Sequence, residues 1–291
     1  MNKKLIYSGF IVPECILWGV GNTITKIGLT SIGPFSCLTV RFFLAWLLFR
    51  VFFSHRLDAH KADIKRCLSV SVITAAAFIS STLSLNFASA TTAGLLMALS
   101  VIFTPFLAFF MHKIPLDKRM LCAVTLVVGG MYLLCGFDVN ANYGIGELLA
   151  LFSSFCLAVT LTFSAVSVQT LDPIVLSATQ AGMTATLSLI PALLFERINT
   201  LAEIPLSGWL SVIYLAVGCT FVAYLLQNTV LAHVSPVFVS ITFCVEPVFT
   251  ALSAYIILGE QLALIGYIGA FLIMAGILIS TLPKKQCDSR L

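Results

Sequence analysis

Three charged residues lie inside long apolar runs, where water cannot reach them easily: Glu14 in IVPECILW, Arg41 in LTVRFFLAW and Glu246 in ITFCVEPVFTAL. A charge at the centre of a bilayer costs roughly 2.5–3.5 kcal/mol on insertion scales, so each should face a partner or a cavity rather than lipid. On an unbroken helix Thr242, Glu246, Thr250 and Ser253 fall along one polar face. A carboxylate on that face has two chemical uses: attracting the cationic group of a substrate, or exchanging a proton. Glu14, Trp18, Asn22 and Lys26 step by four along the first apolar run and make a second stripe, from whose end Lys26 can snorkel to the surface. With a rise of about 1.5 Å per residue, Arg41 lies ~10 Å below one face of the membrane and Glu14 ~13 Å above the other, ~7 Å apart in depth. Two readings follow. The two charges pair only with each other and set helix register, or Arg41 lines a route through the membrane and meets an anionic group.

The elements that must hold these residues are membrane spans. Of the 291 residues 59% are hydrophobic and 10% charged, and the mean hydropathy is +1.06, whereas charged residues make up about a quarter of soluble domains. Segments long enough for a ~30 Å hydrocarbon core run over 5–26, 34–53, 67–86, 91–111, 119–137, 145–165, 173–194, 207–228, 234–257 and 262–282. The expected architecture is therefore all-α, an integral membrane protein of ten transmembrane helices. Lys3, Lys4, Arg50, Arg56, Lys61, Lys65, Arg66, Lys113, Lys118, Arg119, Lys284, Lys285 and Arg290 fall on one side, against Lys26 and Arg197 on the other. By the positive-inside rule both termini are cytoplasmic, although the 166–172 loop, assigned to the same side, carries no basic residue. The first apolar run contains Pro13 and Glu14 and lacks a small-residue cleavage motif, so it is expected to remain as a span and not to be removed as a signal peptide.

The net charge of +4 reflects this loop bias, and nucleic acid is not an expected partner. The nine cysteines are scattered singly without a metal-ligand spacing, so no metal and no cofactor is expected. Hydrolase, zinc-protease, nucleotide-binding and dinucleotide-binding motifs are missing, which argues against an enzyme and against primary active transport.

The chain also repeats itself. Asn86–Pro105 overlays Asn228–Pro247 with Asn on Asn and Pro on Pro, which sets Thr104 opposite Glu246, and Gly130 then corresponds to Gly276 once a few residues are inserted. Five spans per half, an odd number, make the second repeat inverted; the expected units are 1–140 and 141–291.

The stretch AYLLQNTVLAHVSPVFVSI, continuing into EPVFTALSAYIILGEQL and IGAFLIMAGILI, resembles the second half of EamA-type transporters of the drug/metabolite transporter superfamily. WGVGN resembles the family's opening Trp-Gly-x-x-Asn pattern, RFFLA its Arg-(Phe/Tyr)-x-x-Ala signature, and Tyr224 with Asn228 its Tyr-x-x-x-Asn region. The resemblance implies two five-helix halves and a secondary transporter, most simply an exporter of amino acids or related metabolites working by alternating access. The expected route residues are Glu14, Trp18, Asn22, Arg41, Asn86, Tyr224, Gln227, Asn228, Thr242 and Glu246. Expected partners are a small-molecule substrate, the lipid bilayer of the inner membrane and protons as coupling ion, with the chain acting as monomer or homodimer. Two alternatives stay open: a proton-coupled importer or facilitator of small polar solutes, and a non-transporting scaffold subunit.

Overall fold

A computed structural model describes residues 9–112, 118–135, 144–196, 204–259 and 264–281. Lys3, Lys4, Lys113, Arg197, Glu260, Lys284, Lys285, Cys287 and Arg290, all used in the reading of the sequence, lie outside them.

The described residues form helices: α1 (Ile11–Gly28), α2 (Pro34–Phe52), α3 (Ser54–Ala59), α4 (Ile64–Phe87), α5 (Ala90–Ala98), α6 (Ser100–His112), α7 (Lys118–Cys135), α8 (Ile145–Ser167), α9 (Pro173–Phe195), α10 (Leu206–Ala216), α11 (Ala223–Leu231), α12 (Pro236–Phe243), α13 (Glu246–Leu258) and α14 (Leu264–Thr281). Seven helical stretches among them are long and apolar enough to cross a membrane. The other expected spans correspond to α1, where Glu14, Asn22 and Lys26 dilute the hydropathy, and to α7 and α14, whose apolar parts Leu121–Leu133 and Leu264–Gly276 are shorter.

The inside and outside of the molecule are arranged for lipid. Phe110, Leu194, Phe195, Leu264 and Phe271 are exposed, while Thr23, Ser71, Thr74, Ser153, Thr160, Ser177, Thr184 and Ser240 are buried. Many of these hydroxyls bond back to a carbonyl of the preceding turn, as Ser71 does to Cys67 and Thr184 to Gln180, which satisfies them without water. The main packed pairs are α7 with α14, α4 with α8, α2 with α9, α4 with α9, and α1 with α13.

Two crossings are broken. α5 gives way to α6 at Leu99, and α12 to α13 at Cys244–Val245. The break corrects the polar face expected over residues 242–253: Thr242 ends one helix, donating to the Phe238 carbonyl at 3.0 Å, while Glu246 opens the next. Pro247 sits at the start of α13, where its missing N–H costs nothing, whereas Pro105 lies inside α6. The two prolines therefore hold unlike places in their helices. Ser89 caps α5 and Ser235 caps α12, each through its side-chain oxygen. The interval between these caps is also the interval from Gly130 to Gly276 and from Ser100 to Glu246. At that interval Ser100, not Thr104, stands opposite Glu246.

Loop contacts group the ends of the helices. Arg56 binds Asp172 at 2.6 Å and Arg66 reaches Thr170 at 3.4 Å, so the 166–172 loop borrows its basic residues from the segment that runs from the end of α2 into the first turn of α4. In that segment hydrogen bonds from Arg50 and Lys61 hold the Asp58 carboxyl below its usual range. A lowered carboxylate value leaves the tie intact at neutral pH and dissolves it only as pH falls through that value. At the opposite end Lys26 donates to the Leu85 carbonyl at 3.4 Å and to the Ala88 carbonyl, closing the C-terminus of α4 with a cation. There too the Glu196 carboxylate accepts from the backbone of Phe35 and Ser36 at 2.8 and 2.7 Å, capping α2.

Close approach of α7 and α14 depends on two glycines. A Cβ on Gly130 would stand 2.6 Å from the Gly269 carbonyl oxygen, and one on Gly276 would stand 2.9 Å from the Ala123 carbonyl oxygen. Nothing lies within 4 Å of a Cβ on neighbouring Gly129. Gly130→Val and Gly276→Val should each lower unfolding free energy by about 1–3 kcal/mol, read as an earlier thermal transition in detergent, while Gly129→Val leaves it unchanged.

Candidate functional site

The site grows from α1. A Cβ on Gly19 would lie 2.8 Å from the Glu246 carbonyl oxygen, and one on Gly21 would lie 2.6 Å from Cys219 Sγ. The two glycines thus let α1 wedge between α13 and the turn that follows α10. On one side of the wedge Asn22 Nδ2 donates to Glu246 Oε1 at 2.8 Å and to Thr250 Oγ1 at 3.2 Å. On the other, Trp18 Nε1 donates to the Cys219 carbonyl at 2.8 Å.

That turn, Val217–Val222, is a π turn between α10 and α11, a widened stretch of helix that recurs at functional positions. Thr220 Oγ1 donates five residues back to the Leu215 carbonyl at 2.9 Å. Arg41, reaching over from α2, donates through Nε to Thr220 Oγ1 at 2.8 Å and through Nη2 to the Cys219 carbonyl at 3.3 Å. Its guanidinium rests on Phe42 and Phe78, 5.1 and 5.5 Å from the ring centres, a cation–π arrangement.

No salt bridge among the described residues joins Arg41 to Glu14. Both Glu14 carboxylate oxygens are buried without a hydrogen-bond partner. Of the two readings drawn from sequence, the pair is not formed. Matching depth was insufficient because Arg41 turns toward the π turn, where a hydroxyl and a carbonyl stand ready to accept.

Arg41, Asn22, Trp18, Gln227 and Glu246 line one cavity together with Ser81, Thr82, Ser100, Met97 and Phe243. The cavity is small, about 60 Å³, which favours a solute that meets several of these groups at once. The other expected residues lie elsewhere. Asn86 is exposed near the end of α4. Glu14, Tyr224 and Thr242 are buried away from the cavity wall. Asn228 belongs to a separate buried network, donating to Ser177 Oγ at 2.9 Å and Gln180 Oε1 at 2.8 Å, while Gln180 donates to Thr74 Oγ1 at 3.1 Å and Ser164 Oγ at 3.3 Å. Sequence reasoning missed Thr220 and Cys219, because nothing in VGCTFV marks a π turn. It missed Ser100 because the proline overlay hid it.

The sequence pattern of the EamA-like transporter family matches residues 7–136 and again residues 144–282. The chain belongs to the EamA-like transporter family. An uncharacterized transporter of Archaeoglobus fulgidus is 28% identical across 96% of this chain and 87% of its own length. A protein of Escherichia coli K12 described as a probable amino-acid metabolite efflux pump is 26% identical across 91% of each. A protein solved by crystallography superposes on 94% of the chain, with TM-score 0.73 and 17% identity, a likeness of fold alone. Family members and these relatives are transporters, and this EamA-family chain is a multi-pass membrane transporter rather than an enzyme.

With no ion pair between them, Glu14→Gln and Arg41→Gln should behave independently in a double-mutant cycle of thermal stability. The expected coupling is below about 0.5 kcal/mol; a coupling of several times that value would restore the pair.

Proposed function

We propose that this chain is a ten-span secondary transporter that exports a small zwitterionic metabolite, an amino acid or close relative, by alternating access around the cavity. One observation carries the reading. The cavity presents a guanidinium with no carboxylate partner among the described residues and, from the other half of the chain, the Glu246 carboxylate. A guanidinium and a carboxylate on one small wall suit a solute that carries both charges. The name of the Escherichia coli relative agrees in substrate class and direction.

Alternating access needs two related halves, and several features support inverted repeats over 1–140 and 141–291. The family pattern occurs twice, once in each unit. Packing also respects the exchange of halves: α4 with α8 has its counterpart in α1 with α10, and α4 with α9 in α2 with α10, while α2 with α9 and α7 with α14 map onto themselves. Even side-chain bonds recur. Arg41 donates to Thr220, and Gln180, its counterpart in α9, donates to Thr74, the counterpart of Thr220.

The cavity runs along Thr25, Leu85 and Met97 toward the end of the molecule where Lys26 closes α4. The Gln180–Asn228–Ser177 network and the Arg56–Asp172 bridge close the opposite end. With basic loops cytoplasmic, this is an outward-facing conformation of an inner-membrane protein with both termini inside. In the inward-facing conformation the Gln180 network opens and the outer halves of the same helices close.

Two experiments test this. Reporters fused after Leu57 and Thr170 should read as cytoplasmic, and after Ser31 and Ser89 as external; a reversal overturns the orientation. In proteoliposomes loaded with a mixture of amino acids, the parent protein should release at least one of them. Glu246→Gln should match the parent in thermal stability yet lose that release by at least about tenfold, the worth of one charge-assisted contact. Parental release by Glu246→Gln removes the carboxylate from the binding site.

A further inference from the structure

Both broken crossings begin their second helix at the cavity: α13 with Glu246 and α6 with Ser100. The first turn of a helix has backbone N–H groups without intrahelical acceptors and a partial positive charge, and both favour an anion. In α13 the chain supplies that anion itself, since Glu246 stands in the first turn. In α6 the corresponding residue is a neutral serine. Ser100 is 4% exposed, faces the cavity, and its hydroxyl has no protein partner among the described residues. Its backbone carbonyl is already taken by Thr104 Oγ1 at 2.8 Å, so the free group is a hydroxyl beside a helix N-terminus. Two more buried polar side chains on the same wall, Thr82 and Gln227, are also without partners among the described residues. By contrast Ser81 is occupied by Met97 Sδ at 2.9 Å.

We propose that the start of α6, with the Ser100 hydroxyl and the unused donors of Arg41, receives the substrate carboxylate, while Glu246 takes the ammonium group. This rests on the zwitterion reading and adds polarity to it. The substrate lies between two half-helix starts of opposite effective charge: α6, left positive by Ser100, and α13, made negative by Glu246. Ser100 is a specificity-determining residue, because the same position with a built-in carboxylate would give the cavity two anions and favour a substrate without one. Ser100, Arg41 and Glu246 line the same cavity, so one solute can meet all three.

The test is a competition between amino acids and the amines left by their decarboxylation, offered together to proteoliposomes and quantified by mass spectrometry. The parent should prefer the amino acids. Ser100→Ala should raise their KM on the order of tenfold, the loss of one hydrogen bond to a charged group, with little change in kcat, and Ser100→Thr should restore it. Ser100→Asp should reverse the preference toward the amines. Thermal stability of each variant is measured alongside; if Ser100→Asp does not fold, the Ala and Thr pair decides. Parental KM and parental selectivity in folded Ser100 variants overturn the carboxylate site while leaving the zwitterion reading in place. A parent that moves neither class overturns both.

Discussion

A guanidinium buried in a membrane must recover from protein the hydrogen bonds it gives up in water, and much of this structure is arranged around doing that for Arg41. The needed acceptors come from the π turn: the Thr220 hydroxyl and the Cys219 carbonyl. A regular helix would commit that carbonyl to its own ladder; the widened turn lets it serve both Arg41 and the indole of Trp18. The aromatic faces of Phe42 and Phe78 cover the cation where no acceptor is available. Gly21 is required for α1 to lie against Cys219 at all. Removing any one of these supports leaves a charge in a poor environment, which explains why they converge on a few residues of three helices.

The all-helical, membrane-embedded class and seven of the expected spans were legible from hydropathy because lipid imposes length and apolarity on every crossing. WGVGN, RFFLA and the Glu246 segment were legible because each places polar groups where apolar ones are expected, and the structure brings Trp18, Asn22, Arg41 and Glu246 to one wall. Azimuth was not legible. Glu14 and Arg41 match in depth but point to different neighbours, and depth is all that counting residues supplies. Helix breaks were also invisible: they divide Thr242 from Glu246, and they give the paired prolines unlike places in their helices. The polar residues Asn86 and Asn228 occupy alignable places in sequence, yet one is exposed and the other deeply buried, since the ends of α4 and α11 differ.

Energetically the two ends of the cavity are unlike. The end closed by the Gln180 network is built from neutral amide and hydroxyl pairs, Gln180, Asn228, Ser177, Thr74 and Ser164. Each neutral hydrogen bond is worth about 1 kcal/mol net. Such a closure is strong enough to hold and weak enough to exchange for another set of partners, unlike a buried ion pair, which is costly to break. The Arg56–Asp172 bridge at the rim is exposed on its arginine side and adds little to that barrier.

The unlikeness of Ser100 and Glu246, and of Arg41 and Gln180, bears on why two such halves share one polypeptide. On the axis that relates two identical halves, the transverse components of the electric field cancel and only the axial one survives. A solute lying across the axis of a pair of identical chains would meet the same groups at both ends. Joining the halves frees each position to change without its counterpart, and four substitution sites suffice to give the cavity a transverse dipole. The fused chain can therefore carry a dipole across the axis of its cavity, which symmetry denies on the axis of a homodimer of either half.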